Sequence, residues 1–305
     1  MKPFELSTPV VFMVFNRPGT TQRVFDEIKR ARPKKLFIIA DAPRENVPGE
    51  NEKCNQVKEI VDQVDWDCDV HKNYSDFNLG CGKRISSGLD WVFNQEDEAI
   101  ILEDDCLPHP SFFRYCQELL EYYRNNERVM FISGDNFQSS KRKPEASYYF
   151  SAYNHVWGWA SWKRVWEKYD YNISQWPAIK ETNLLDQWLN NRLAVKFWTN
   201  WIQMVFDKKL NTWDIQLAFT CFVNRGLSIA PEVNLVSNIG FGPDSTHTPD
   251  SKHRSSDIPV KEMIFPMKHP SSIIRDVKAD IYEDKTHYIN SLRYRIIEKI
   301  KKTLK

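Results

Sequence analysis

Four short apolar runs constrain what this chain can fold into. They are Val10-Val11-Phe12-Met13-Val14-Phe15, Leu36-Phe37-Ile38-Ile39-Ala40, Ala99-Ile100-Ile101-Leu102 and Val129-Met130-Phe131-Ile132. None alternates with polar residues, so each reads as a strand covered on both faces, as in a parallel sheet. Helical patterns lie between them. Val24, Phe25 and Ile28 recur at helical spacing within 21–30, and 57–64, 85–93 and 111–124 read as further helices. Cys68-Asp69-Val70-His71 reads as a short strand. Strands alternating with helices imply right-handed βαβ units and a mostly parallel sheet. After about residue 140 the alternation gives way to aromatic, loop-rich sequence up to Thr212. Residues 243–272, rich in Pro, Ser, Asp and His, read as loop, and 285–304 as a basic helix.

The third run ends abruptly in Glu103-Asp104-Asp105. Ligand sites in such sheets lie just beyond the carboxyl ends of the strands. Three adjacent carboxylates repel one another, and packing does not call for them there. A divalent cation would neutralise them and bridge to phosphates. Composition narrows the partners. The formal net charge is +1, without the basic excess of a nucleic-acid-binding surface. No apolar run approaches the roughly 18 residues of a membrane span. Met1 to Leu6 leads directly into a strand, which leaves no room for an export signal and implies the cytosol. The six cysteines show no Cys-x-x-Cys pair or zinc spacing and are expected to be free thiols.

Other motifs fall in a definite order around the acids: Asn16-Arg17 after the first strand, Asp41 after the second, then Glu103-Asp104-Asp105. Pro110-Ser111-Phe112-Phe113, Trp157-Gly158-Trp159 and Trp213-Asp214 follow. The ordered set resembles nucleotide-sugar glycosyltransferases of the GT-A fold, in particular the N-acetylglucosaminyltransferase I family. The likeness runs over 10–245, and it departs in having Trp157 where that family has Gly. The resemblance implies an α/β fold with a Rossmann-like, mostly parallel central sheet flanked by helices. It implies a domain over 1–245, with a nucleotide-sugar-binding half (1–140) and an aromatic-rich acceptor-side half (141–245). Residues 246–305 then hold a loop and a C-terminal amphipathic helix.

Roles follow from the same resemblance. Asp105 would hold Mn²⁺ or Mg²⁺, with Glu103 and Asp104 supporting the donor or metal-bound waters. Asp41 would accept from the uracil N3–H, and Asn16 and Arg17 would meet the base or phosphate. An ordinary turn also starts with an Asp such as Asp41. Gly80-Cys81-Gly82-Lys83-Arg84 precedes a helix, and Lys83 or Arg84 can reach a pyrophosphate there; a plain loop with a solvated basic pair reads equally well. Asp214 would be the base, taking the proton of the attacking hydroxyl; an N-cap role fits the same position. His247 would add a metal or phosphate ligand, against the reading of an exposed loop His.

Nine of the eleven tryptophans lie between Trp157 and Trp213. Some can serve as sugar platforms, and roughly two thirds are expected to be core. Ile289, Leu292, Ile296, Ile300 and Leu304 share one helical face, ringed by Arg293, Arg295, Lys299, Lys301, Lys302 and Lys305 with only Glu298 opposing. Such a helix suits an anionic membrane surface or packs on its own domain. The expected activity is metal-dependent inverting transfer of a sugar from a nucleotide diphosphate, a UDP-sugar, to a glycan or lipid-linked acceptor. A nucleotidyltransferase of similar fold and a non-catalytic nucleotide- or glycan-binding module are the alternatives.

Overall fold

A computed structural model describes residues 4–138, 145–241 and 258–288. The elements run β1 (Val10–Val14), α1 (Pro18–Ala31), β2 (Lys35–Ala40), α2 (Glu50–Val61), β3 (Asp69–Tyr74), α3 (Cys81–Phe93) and β4 (Glu98–Glu103). Next come β5 (Cys106–Pro108), α4 (Ser111–Tyr123), β6 (Val129–Ser133), β7 (Tyr148–Ser151) and β8 (Trp159–Trp162). The helices α5 (Lys163–Trp166), α6 (Trp176–Lys180), α7 (Leu184–Leu189), α8 (Arg192–Phe206) and α9 (Asp214–Val223) follow. Then β9 (Leu227–Pro231), β10 (Val236–Asn238), α10 (Val277–Glu283) and a π-helical turn (Asp284–Tyr288) complete the described elements. No helix among the described residues is long and apolar enough to cross a membrane.

Eight strands form one sheet in the order β3-β2-β1-β4-β8-β6-β9-β7. Every residue of β1 is buried, which is why its sequence lacks alternation. Val10, Phe12, Val14, Leu36, Ile38, Ile100 and Leu102 pack on one face with Val24, Phe25 and Ile28 of α1 and Phe112 of α4. Val11, Met13, Phe37, Ile39 and Ile101 pack on the other with Ile85, Leu89 and Val92 of α3 and with Trp159 and Trp213. Each such large side chain taken from water contributes about 1.5–3 kcal/mol. A third cluster, including Trp176, Trp198, Phe219 and Phe222, joins α6 to α9.

The topology places the site. From β1 the chain winds outward through α1, β2 and α2 to β3, then α3 returns it across the opposite face to β4. β4 lies parallel to β1 on its other side, with Met13 opposite Glu103. The strand order therefore reverses between β1 and β4, the point at which sheets of this kind form a ligand crevice beyond the strands' carboxyl ends.

The expected alternation up to 134 is present, and the structure adds what the aromatic half concealed. β7, β8 and β9 complete the main sheet, with β8 antiparallel between β4 and β6. Six of the nine tryptophans between 157 and 213 are buried, so the cluster is mainly core. Residues 258–272 contain no helix or strand, as expected of a loop. His247 and 289–305 lie outside the described residues, so the C-terminal basic helix is described only as far as its first residues, where the chain forms the π-helical turn. All six cysteines are free.

Candidate active site

The crevice between β1 and β4 gathers the residues that follow those strands. The Phe15 amide donates to Asp104 Oδ2 at 3.1 Å. Arg17 places Nη1 2.5 Å from Asp105 Oδ2 and 3.8 Å from Asp104 Oδ1. The Cys106 thiol lies 3.5 Å from Asp105 Oδ1. Behind Asp105, its carbonyl accepts from the Ile239 amide at 2.8 Å. Gly240 lies against the same side chain so closely that any Cβ there would collide with it.

Charge is crowded here. Burial first, then repulsion from Asp105, Asp104 and Asp214, holds Glu103 protonated well above the usual carboxylate range, with Arg17 opposing. Asp104 is pushed up to about 7 by burial and by Asp105, against Arg17 and the Phe15 amide. Burial opposes the charge on Arg17, but Asp104, Asp105 and Glu103 outweigh it and raise its pKa. The Cys81 thiol, at the start of α3, is raised by burial and then by Glu103, Asp214 and Asp105. Asp214 therefore acts on the same groups as the strand-end acids, although 109 residues separate it from Asp105 in the chain.

Asp214 opens α9. It does not cap the helix: Trp213 is the N-cap residue, and no side chain caps that end. The segment before it is fixed from several sides. Trp213 stacks on Trp159 with ring centroids 5.6 Å apart, and its carbonyl accepts from the Tyr169 hydroxyl at 3.1 Å. The Thr212 hydroxyl donates to Asp214 Oδ1.

The residues expected on the donor side have protein partners. Asp41 follows β2 and is buried. Its two oxygens accept from the amides of Ala42 (3.0 Å), Leu79 (2.9 and 3.1 Å) and Gly80 (2.9 Å). It shapes the turn into α3, in which Gly80 takes a left-handed φ of 75°. Arg84 lies near the start of α3. It is 6% exposed and donates to Ala40 O (3.1 Å), Asn73 O (2.6 Å) and Asn73 Oδ1 (2.7 Å), bracing the ends of β2 and β3. Lys83 beside it is exposed. Arg17, expected to meet the base or phosphate, is paired with Asp104 and Asp105. Asn16 donates to Glu50 Oε1 at 2.8 Å, and Glu50 also takes three hydrogen-bond donors of Arg44.

Sequence reasoning missed Thr212 and Asn211, although they adjoin Trp213-Asp214. It also missed Asp135, which follows the end of β6 as Glu103 ends β4 and lies at the same sheet edge. Asp135 is 1% exposed, its Oδ1 has no hydrogen-bond partner, and burial raises it to about 7. The signal was the same in both places, an apolar strand running into an acid.

The fold and edge define a doubly wound α/β protein with an acidic crevice at its topological switch point. No protein-family model and no curated protein sequence matches the chain. Solved structures give remote likenesses. S. aureus TarS (1–349) is 9% identical, with 75% of this chain and 59% of that chain covered and a TM-score of 0.42. A UDP-glucose pyrophosphorylase complexed with UDP-glucose is 10% identical, with 74% and 90% covered and a TM-score of 0.36. HddC from Yersinia pseudotuberculosis is 9% identical, with 53% and 80% covered and a TM-score of 0.33. This chain thus spans 59% of the TarS chain. An activity does not follow from likenesses this distant.

Proposed function

We propose that this protein is a metal-dependent inverting glycosyltransferase that uses a nucleotide diphosphate sugar, a UDP-sugar, as donor. The observation that carries the reading is the placement of Asp214 beside the strand-end acids: Trp213 stacks on Trp159, Trp159 pairs with Ile101 two residues before Glu103, and Asp105 and Asp214 both act on Glu103 and Cys81. A module that only binds a nucleotide has no need of a second carboxylate from a distant helix.

A divalent cation suits this donor set. Three carboxylates, Glu103, Asp104 and Asp105, face the guanidinium of Arg17, and the crowding already forces protonation upward. Among the described residues no group of three or more His, Cys, Asp or Glu side chains is arranged to hold a metal ion. Mg²⁺ or Mn²⁺ needs only one or two carboxylates and completes its shell with phosphate and water oxygens. Asp105 would be the protein ligand, with His247 a further one. The ion would supply charge neutralisation for a departing diphosphate.

The chain's own part is acid–base and positional. Asp214 takes the proton of the acceptor hydroxyl as its oxygen attacks the anomeric carbon. The bond from that carbon to the diphosphate oxygen breaks on the opposite face, and its electron pair leaves with the nucleoside diphosphate. Lys83, Asn16 and the 79–82 turn line the donor side. The acceptor is a glycan or lipid-linked sugar, met at the cytoplasmic face of a membrane with the help of the basic C-terminal segment.

A panel of UDP-sugars, incubated with the protein and Mn²⁺, tests the reading. The expected products are UDP and free sugar, formed only with the metal. Formation of UTP and sugar 1-phosphate when pyrophosphate is added would identify a nucleotidyltransferase instead. UDP binding without turnover of any sugar in the panel would favour a binding module.

A further inference from the structure

We propose that Thr212 is a positioning residue for Asp214, holding its carboxylate in register with the donor-side turn at 79–82. The proposal rests on Asp214 being the base.

Thr212 lies one residue before the N-cap Trp213. Its hydroxyl donates to Asp214 Oδ1, in the first turn of α9, and no side chain caps that helix end. No other hydrogen bond to the Asp214 side chain forms among the described residues, so its second oxygen remains available for an acceptor proton.

Thr212 is itself held. It is 9% exposed, and its carbonyl accepts from Gln216 Nε2 at 2.7 Å. The same carbonyl faces Gly82, where a Cβ would stand 2.6 Å from it. Asn211 Oδ1 accepts from the Gly82 amide at 3.1 Å. Gly82 continues the turn whose Leu79 and Gly80 amides are gathered by Asp41. One continuous set of contacts thus links the end of β2, the 79–82 turn, Asn211 and Thr212, and the Asp214 carboxylate. The base is fixed relative to the turn rather than free to swing on its own side chain.

The test compares Thr212→Val, Thr212→Ser and Asp214→Asn with the wild-type protein. Each is assayed for hydrolysis of the UDP-sugar that the wild type turns over fastest, and for Mn²⁺-dependent UDP binding by calorimetry. Thr212→Val should lower kcat about 10- to 100-fold, the scale of a misplaced reacting group. Its KM for the donor and its UDP affinity should stay within about twofold, because ground-state binding is untouched. Thr212→Ser keeps the hydroxyl and should recover most of the wild-type rate. The double variant Thr212→Val with Asp214→Asn should be no slower than Asp214→Asn alone. Wild-type turnover in Thr212→Val, or equal impairment in Thr212→Ser, overturns the proposal. So does loss of UDP affinity together with a lowered melting temperature in Thr212→Val, which marks a merely structural residue. Full activity in Asp214→Asn, or a wild type that hydrolyses nothing in the panel, overturns the assignment of the base and this proposal with it.

Discussion

At the end of β4 the residues compete for one guanidinium. Arg17 sits nearest Asp105, and Glu103 and Asp104 hold protons that ordinary carboxylates would have lost. If Asp105 is the metal's protein ligand, Asp105→Ala should abolish Mn²⁺-dependent UDP binding. It also relieves repulsion on Glu103 and Asp104, so the melting temperature should hold or rise. Calorimetry showing wild-type UDP affinity in this variant would move the metal elsewhere. Asp214→Asn keeps the size of the side chain but cannot accept a proton. Turnover should fall by about 10² to 10⁴, the usual range for a general base, with donor binding nearly unchanged. Retained activity would transfer the role to another carboxylate. Asp105 stood out in the sequence as part of an abrupt strand end, whereas Asp214 was singled out by the resemblance alone. What Asp41 and Arg84 do was not legible there. Their partners at Leu79, Gly80 and Asn73 come from separate elements, and a residue's type does not reveal which neighbour will take its hydrogen bonds.

The α10 segment docks through acids instead of an apolar stripe. Asp280 accepts from Ser151 Oγ (2.6 Å) and the Ala152 amide (3.1 Å) and pairs with Arg275. Glu283 pairs with His155 at 2.8 Å and accepts from Gln138 at 2.7 Å. Asp284 accepts from the Tyr153 hydroxyl at 2.6 Å and Asn191 at 2.6 Å. This explains why hydrophobic periodicity did not reveal the helix. Burial opposes the charge on His155, but Glu283 outweighs it and raises the imidazole from 6.5 to about 9. Burial likewise opposes the charge on Glu283, but His155 outweighs it and lowers its pKa. A raised histidine contributes stability in full below pH 6.5, and the contribution is lost as pH climbs through 9. The lowered glutamate contributes above pH 4.5 and loses its contribution as pH falls below that value. Asp135 and Asp280, raised by burial from 3.8 to about 7 and 6, lose their contribution as pH rises from 3.8 to those values, a loss mostly complete before the histidine begins to titrate. Urea unfolding should therefore show the wild type weakening between pH 6.5 and 9. Glu283→Gln should cost about 3–5 kcal/mol at the acid end of that interval, where a buried charge pair is broken, and much less at the alkaline end. A pH-independent difference between the two proteins would remove the pair from the account.

At the scale of the molecule, the described chain leads to Tyr288, which is 8% exposed and packs on Tyr153 and Trp198. A truncation intended to test the basic segment should therefore begin at residue 289, beyond this packing. The segment carries six basic residues and one acid in 289–305. Each basic residue near an anionic surface contributes about 1 kcal/mol. Removing 289–305 should release the protein from vesicles containing anionic lipid and leave hydrolysis of a UDP-sugar intact. A protein that never bound the vesicles, and that unfolds when shortened, would show that the segment packs on the domain. The parallel half of the fold was determined by the sequence alone. A strand buried on both faces must be apolar throughout, so β1, β2, β4 and β6 announce themselves locally, and an acid at such a strand's end stands at the crevice. Tertiary structure alone decided the rest. It threaded β8 antiparallel between β4 and β6, carried Asp214 to the field of Glu103, and tied Asp41 to the 79–80 amides and Arg84 to the ends of β2 and β3. These outcomes depend on contacts between segments far apart in the chain, whose geometry is set only when the sheet closes around them.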